Sequence, residues 1–213
     1  MATLDVLSSA EAAESIDAPG LSSVKLAKVV TAASLALDTY VGPVVRRTIT
    51  NERHEDKFGR PELELRRWPV VSVSSCSEFS RSGTELVLAV ETPSSRPSDG
   101  VRLEPTQAET ELGLFGPILT RRASGRDALF DESVLVTYVA GRFTNTAAVD
   151  ERYKEAVRLL VSNLFQRVLI GRGTLDGYDV PRYPFPTFAI PGSVKGLLSD
   201  VWQGDEKQRL GIA

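Results

Sequence analysis

Two stretches whose apolar residues recur every three to four positions, 22–41 and 149–170, bracket about a hundred residues in which the period falls to two, and this constrains the fold most. In the first, Leu26, Val30, Ala33, Leu37 and Tyr40 follow spacings of four, three, four and three, which puts them on one stripe of a helix. Ser22 or Ser23 suits its N-cap. Gly42-Pro43 ends it, because glycine accepts the left-handed position past a helix and proline cannot extend the ladder. In the second, Tyr153, Val157, Leu160, Leu164 and Val168 form the stripe to be buried, and Gly171-Arg172-Gly173 stops the helix.

Between them, Arg46 to Thr50, Leu63 to Arg67, Val70 to Ser74, Glu85 to Val90, Val101 to Glu104 and Val134 to Val139 read as short strands separated by Gly, Pro, Ser and Asp. Glu62-Leu63-Glu64-Leu65-Arg66 alternates as a half-exposed strand should. Residues 92–100 read as a surface loop, and 105–132 as a long irregular excursion with an added strand around Ile118 to Arg121. Residues 3–16 predict a short helix capped by Thr3 or Asp5. Past residue 173 comes a proline-rich linker, then a short apolar-faced helix within 188–202. The expected fold is α+β: two long amphipathic helices packed with a small, mostly antiparallel β-sheet, a short N-terminal helix and an extended C-terminal tail with a short helix. Residues 1–173 form the core, with helices at about 22–41 and 149–170 and a β-rich insert at 44–140, and 174–213 form the linker and docking tail.

Composition then removes function classes. The near-apolar run Val29 to Leu37 is far shorter than the roughly 20 residues of a membrane-spanning helix, and the acidic start of the chain does not resemble a signal peptide, so cytoplasmic synthesis is expected. One cysteine and one histidine rule out Cys/His zinc patterns, and a net charge of −3 argues against a dedicated nucleic-acid binder. His54 with Glu52, Glu55 and Asp56 offers metal-ligand chemistry, but the run 51–57 reads better as a solvated hairpin tip. Cys76 has no sequence neighbour to activate it and reads as a small core residue. Ser22-Ser23-Val24-Lys25 matches a Ser-x-x-Lys pattern, yet serines are wanted there as caps. The pairs Arg46-Arg47, Arg66-Arg67 and Arg121-Arg122 lie in strands, where adjacent residues point to opposite faces, so none makes a doubled phosphate patch. Arg46, Arg66, Arg121 and, on the second long helix, Arg158 are instead candidates for ion pairs, some of them between subunits. No catalytic, cofactor-binding or metal-ligating residue is assigned, and no enzyme is expected.

The order of a helix ending Leu37-Asp38-Thr39-Tyr40-Val41-Gly42, then Trp68-Pro69-Val70-Val71-Ser72-Val73, then Val136-Thr137-Tyr138-Val139-Ala140-Gly141 and a second helix resembles the head-to-tail adaptor (connector, head-completion) proteins of tailed bacteriophages. The tail from Phe188 to Leu198 is similar to C-termini of phage neck proteins. The stretch between Gly83 and Ser133 is longer than the family's compact version. The resemblance implies a structural subunit of the virion neck: a ring, expected to be dodecameric, that sits beneath the portal protein and joins capsid to tail. It would meet stopper or tail-tube proteins and continue the channel for double-stranded DNA without reading its sequence or touching a membrane. Phe185, Phe188, Ile190, Val194, Leu197, Leu198 and Trp202 then have two readings: they complete the subunit's own core, or they anchor it to the portal or a neighbouring subunit. A tail-completion or stopper protein is the runner-up within the same machinery. A small-molecule-binding or hydrolytic α+β domain is the alternative from another class.

Overall fold

The computed structural model describes residues 4–15, 23–55, 59–92, 94–105, 115–170 and 190–201. The chain divides into two compact units, one made of Met1–Val45 with Phe143–Ala213 and the other of Arg46–Arg142.

The first unit is helical. Its elements are α1 (Ser9–Ser15), α2 (Ser23–Val41), a 3-10 turn (Thr146–Ala148), α3 (Glu151–Ile170) and α4 (Gly192–Leu197). α1 starts later than the sequence suggests. Ser8 and Glu11 form a reciprocal capping box, with Ser8 N donating to Glu11 Oε2 (2.8 Å) and Glu11 N to Ser8 Oγ (3.2 Å). α2 buries Leu26, Val30, Ala33, Leu37 and Val41 and stops at Gly42, whose φ of 78° only glycine adopts without strain. The buried Asp38 carboxylate accepts from Val44 N (2.9 Å), tying the chain down after the stop. Asp150 caps α3 through Arg152 N (2.9 Å). Tyr153, Ala156, Val157, Leu160 and Val161 of α3 share one core with the α2 stripe, Val6, Leu7 and Ala12. Tyr153 meets Phe143 edge-on, with ring centroids 5.4 Å apart. Val45 bridges Phe143, so the two passages of the chain out of and back into this unit lie side by side.

The second unit is a sheet with a core of its own, and it corrects the expected fold class. In place of a small sheet packed under two long helices, eight strands run in the order β1-β8-β3-β4-β5-β6-β2, with β7 paired to β6. They are β1 (Arg47–Glu55), β2 (Glu62–Glu64), β3 (Val70–Phe79), β4 (Glu85–Val90), β5 (Gly100–Pro105), β6 (Phe115–Ala123), β7 (Arg126–Asp127) and β8 (Ser133–Ala140). The sheet is mixed, since β4 and β5 are parallel. β6 also returns to β3 at Val70↔Phe115, which curls the middle of the sheet around its core. An amphipathic stripe states that a helix buries one face without stating against what. Here the stripes of α2 and α3 are buried within a helical core, and the sheet covers its own apolar face.

Strand β8 shows why this region folds as sheet. Its burial alternates without a break, placing Val134, Val136, Tyr138 and Ala140 inside with Cys76, Leu88, Leu119 and Leu65. Gly100 is required where β5 begins beside β4, because a Cβ there would lie 2.2 Å from Ala89 O.

Candidate assembly surfaces

Charged residues inside the sheet unit are engaged with one another. β1 runs on through Asn51–Glu55, the run read as a solvated tip, because a bulge between Ile49 and Glu52 resets the register and turns Glu52 and His54 inward. Glu52 Oε1 lies 2.7 Å from His54 Nε2 and accepts from Arg66 N (2.9 Å), while Oε2 accepts from the Tyr138 hydroxyl (2.9 Å). Tyr138 Oη in turn accepts from Arg67 N (3.1 Å). Burial pushes the Glu52 carboxyl up, but the bonds from His54, Arg66 N and Tyr138 outweigh it and hold the group below its usual value. Burial, then the Glu52 charge, pushes the Tyr138 phenol up. The cluster clamps the Arg66-Arg67 backbone to β1 and β8.

A second pair lies deeper. Arg121 donates from Nη2 to Glu78 Oε1 (2.9 Å) and from Nε to Oε2 (3.2 Å), and each side chain is 7% exposed. Arg121 points in, whereas its neighbour Arg122 points the other way and pairs with Glu91 (3.2 Å). Burial, followed by the nearby Glu78 charge, pushes the Cys76 thiol up to about 12, which favours the protonated thiol at neutral pH. No group of three or more His, Cys, Asp or Glu among the described residues is arranged to hold a metal ion.

The sequence-chosen interface residues scatter. Phe185, Phe188 and Trp202 lie outside the described residues. Ile190, Val194 and Leu198 pack into the helical unit's own core, and Leu197 faces outward. Arg152 of α3 holds the chain beyond α4 through Asp200 (2.7 Å). Among the arginines, Arg121 is committed to Glu78, and Arg158 to Glu151 and Glu155 on its own helix. Arg66 is exposed and donates to Arg53 O (3.2 Å), while Arg46 Nε is buried without a hydrogen-bond partner among the described residues. The partners of Glu78, Tyr138 and Glu11 (to Lys154, 2.6 Å) lie 43 to 143 positions away and leave no local signal in the sequence.

The remaining apolar groups lie on the outward faces. On α2, Val24, Lys28, Thr31 and Leu35 form one exposed stripe opposite the buried one. On the sheet, Val87 shares a cross-strand row with Ser77, Leu135 and Arg53 beside a shallow depression lined by Phe79 and Arg81. The rim charges of that depression pair with each other, Arg53 with Glu55 (3.3 Å) and Arg81 with Glu132 (3.7 Å). On the outer side of β2, Glu62 and Glu64 project beside Thr120 and Ile118. No helix of the described residues is long and apolar enough to cross a membrane.

No family model matches the chain, and no curated protein matches it. Among solved structures, its fold is shared with a chain in the neck of a native GTA particle computed with C12 symmetry (TM-score 0.53, 19% identity, 94% of each chain covered). It is shared also with a chain in the neck of an empty GTA particle computed with C6 symmetry (TM-score 0.51, 18% identity, 94% of this chain and 91% of that one). A chain in the virion of a native gene transfer agent (GTA) particle aligns with a TM-score of 0.49 at 19% identity, over 92% of this chain and 88% of that one.

Proposed function

We propose that this chain is a non-catalytic structural subunit of a phage-like neck, a head-to-tail adaptor that forms a ring beneath the portal, joins capsid to tail and continues the channel taken by double-stranded DNA. The observation that carries the reading is a fold held in common, over 94% of both chains, with a component of a neck computed with twelvefold symmetry. The chain's own chemistry agrees with mechanical work. The buried or half-buried pairs Glu78–Arg121 and Glu11–Lys154 tie strands and helices together, and its outward faces carry apolar and charged stripes of the kind subunits share. A closed ring needs heterologous contacts, in which one patch of a subunit meets a different patch of the next, and two units with separate cores offer distinct patches for both roles. Passing DNA would be tolerated rather than gripped, since the net charge is −3.

The test is to produce the full chain alone and together with the portal protein of the same particle, and to examine both by light scattering and negative-stain microscopy. The expected result is rings stacked coaxially on the portal. A chain that stays monomeric and leaves the portal bare would refute the proposal. Binding only to a portal that already carries another ring would move the subunit to the stopper position.

A further inference from the structure

Taking the ring reading as given, we infer that the outward stripe of α2 in one copy seats against the outer face of β2 and β6 in the next copy. Val24, Lys28, Thr31 and Leu35 sit at spacings of four, three and four, so they line one side of the helix. Val24 is 65% and Leu35 52% exposed, unusual for large apolar side chains on a helix that buries its other face well. The exposed charges of α2, Lys25 and Lys28, are both positive, because its carboxylate, Asp38, is buried. Asp5 is the acid bonded to the stripe, where its Oδ2 accepts from the Thr31 hydroxyl (3.0 Å).

The β2–β6 face has the opposite character. Glu62 lies beside Thr120 and Glu64 beside Ile118, which is 37% exposed. Arg102, across from Thr120, is held by Glu104, and Arg122 by Glu91, so neither offsets the two β2 glutamates. No ion pair engages Glu62 or Glu64 among the described residues. A stripe whose own charge is the single lysine Lys28, set between valine and leucine, thus has, elsewhere on the same chain, an acidic face with an exposed isoleucine. Two different complementary patches on one subunit are the requirement for a heterologous contact. The scale fits as well: four residues separate Val24 from Lys28, about 6 Å along a helix, and Glu62 and Glu64 stand roughly 7 Å apart along a strand. Lys28 meets Glu62 and Glu64, while Val24, about 6 Å from Lys28 along the helix, covers Ile118 beside Glu64.

The experiment uses the full chain in three variants, Lys28→Glu, the pair Glu62→Lys with Glu64→Lys, and all three together, with circular dichroism melts to establish that each is folded. Sedimentation against concentration and microscopy with the portal read assembly. Each reversal alone should raise the half-assembly concentration about tenfold or more, because like charges then face each other at the contact. The triple variant should assemble near wild type. Mixing the Lys28→Glu subunit with the Glu62→Lys/Glu64→Lys subunit should restore rings that neither forms alone, since every contact then joins opposite charges. Reversals that assemble normally, or that neither the triple variant nor mixing rescues, would overturn the inference and leave the ring reading intact. A wild-type chain that never assembles would overturn both.

Discussion

The pair Glu78–Arg121 gives the sheet unit its sharpest dependence on two side chains. Each is 7% exposed, and the carboxylate takes two guanidinium bonds of 2.9 and 3.2 Å together with a long one from Asp131 N (3.4 Å). Arg121 Nη1 also serves the carbonyls of Gly100 and Arg122. Glu78→Ala strands a buried guanidinium, and removing one member of a buried pair costs about 3–5 kcal/mol. Replacing both by methionine removes the two desolvation penalties as well as the attraction, while the two carbonyls and one amide they served lose partners at about 1 kcal/mol each. The double variant should therefore lie within about 2 kcal/mol of wild type. Urea unfolding followed by Trp68 fluorescence, in a Trp202→Phe background, reads the sheet unit specifically. With a slope of about 2 kcal/mol per molar urea, Glu78→Ala should lower the midpoint by roughly 1.5–2.5 M and the double variant by less than about 1 M. A Glu78→Ala midpoint within 0.5 M of wild type (about 1 kcal/mol), or a double variant as weak as the single one, would refute the assignment of a tightly coupled buried pair.

Two further outcomes follow from the helical unit. The bond from Lys154, followed by the one from Ser8 N, holds the Glu11 carboxyl at about 2 against an ordinary 4.5. A depressed carboxylate stabilises the fold above its unfolded value, so the attachment of α1 should weaken as pH falls from about 4.5 toward about 2, and Glu11→Gln should flatten that dependence in a melting-temperature series. Leu198 is fully buried in the helical core, so Leu198→Ala should cost about 2–5 kcal/mol by chemical denaturation, and truncation before Ile190 should destabilise that unit as well as alter partner binding. Unchanged melting of the truncated chain would mean that the α4 contacts contribute nothing to the fold.

Local periodicity was informative where burial is itself local. The stripe from Leu26 to Tyr40, the stop at Gly42 and the alternation through Val134 to Val139 each follow from spacing within one element, and the structure places them so. Long-range pairing was not legible. Nothing near Val70 announces that β6 closes on it, and nothing near Glu52 announces Tyr138, 86 positions away, so an inward-facing charged strand looked like a solvated tip. The fold class differs from expectation for the same reason: amphipathic stripes suggest helices packed on the sheet, whereas each unit buries its own apolar face. Of the interface candidates, the aliphatic tail residues Ile190, Val194 and Leu198 took the core-completing role. Exposed Val24, Leu35 and Ile118 drew no notice, because exposure is a property of the assembled fold and not of sequence.

The bridge between Val45 and Phe143 turns the sheet unit into an insertable cassette. Its two ends are fastened together by the host: Phe143 N donates to Val44 O at 2.9 Å. The helical host therefore closes a detour of roughly a hundred residues, an entropic charge of about 4 kcal/mol that grows only logarithmically with length. Closure entropy therefore adds little penalty when the stretch between those two residues is lengthened or shortened. A graft made at Val45 and Phe143 is the natural place to exchange the insert in the laboratory.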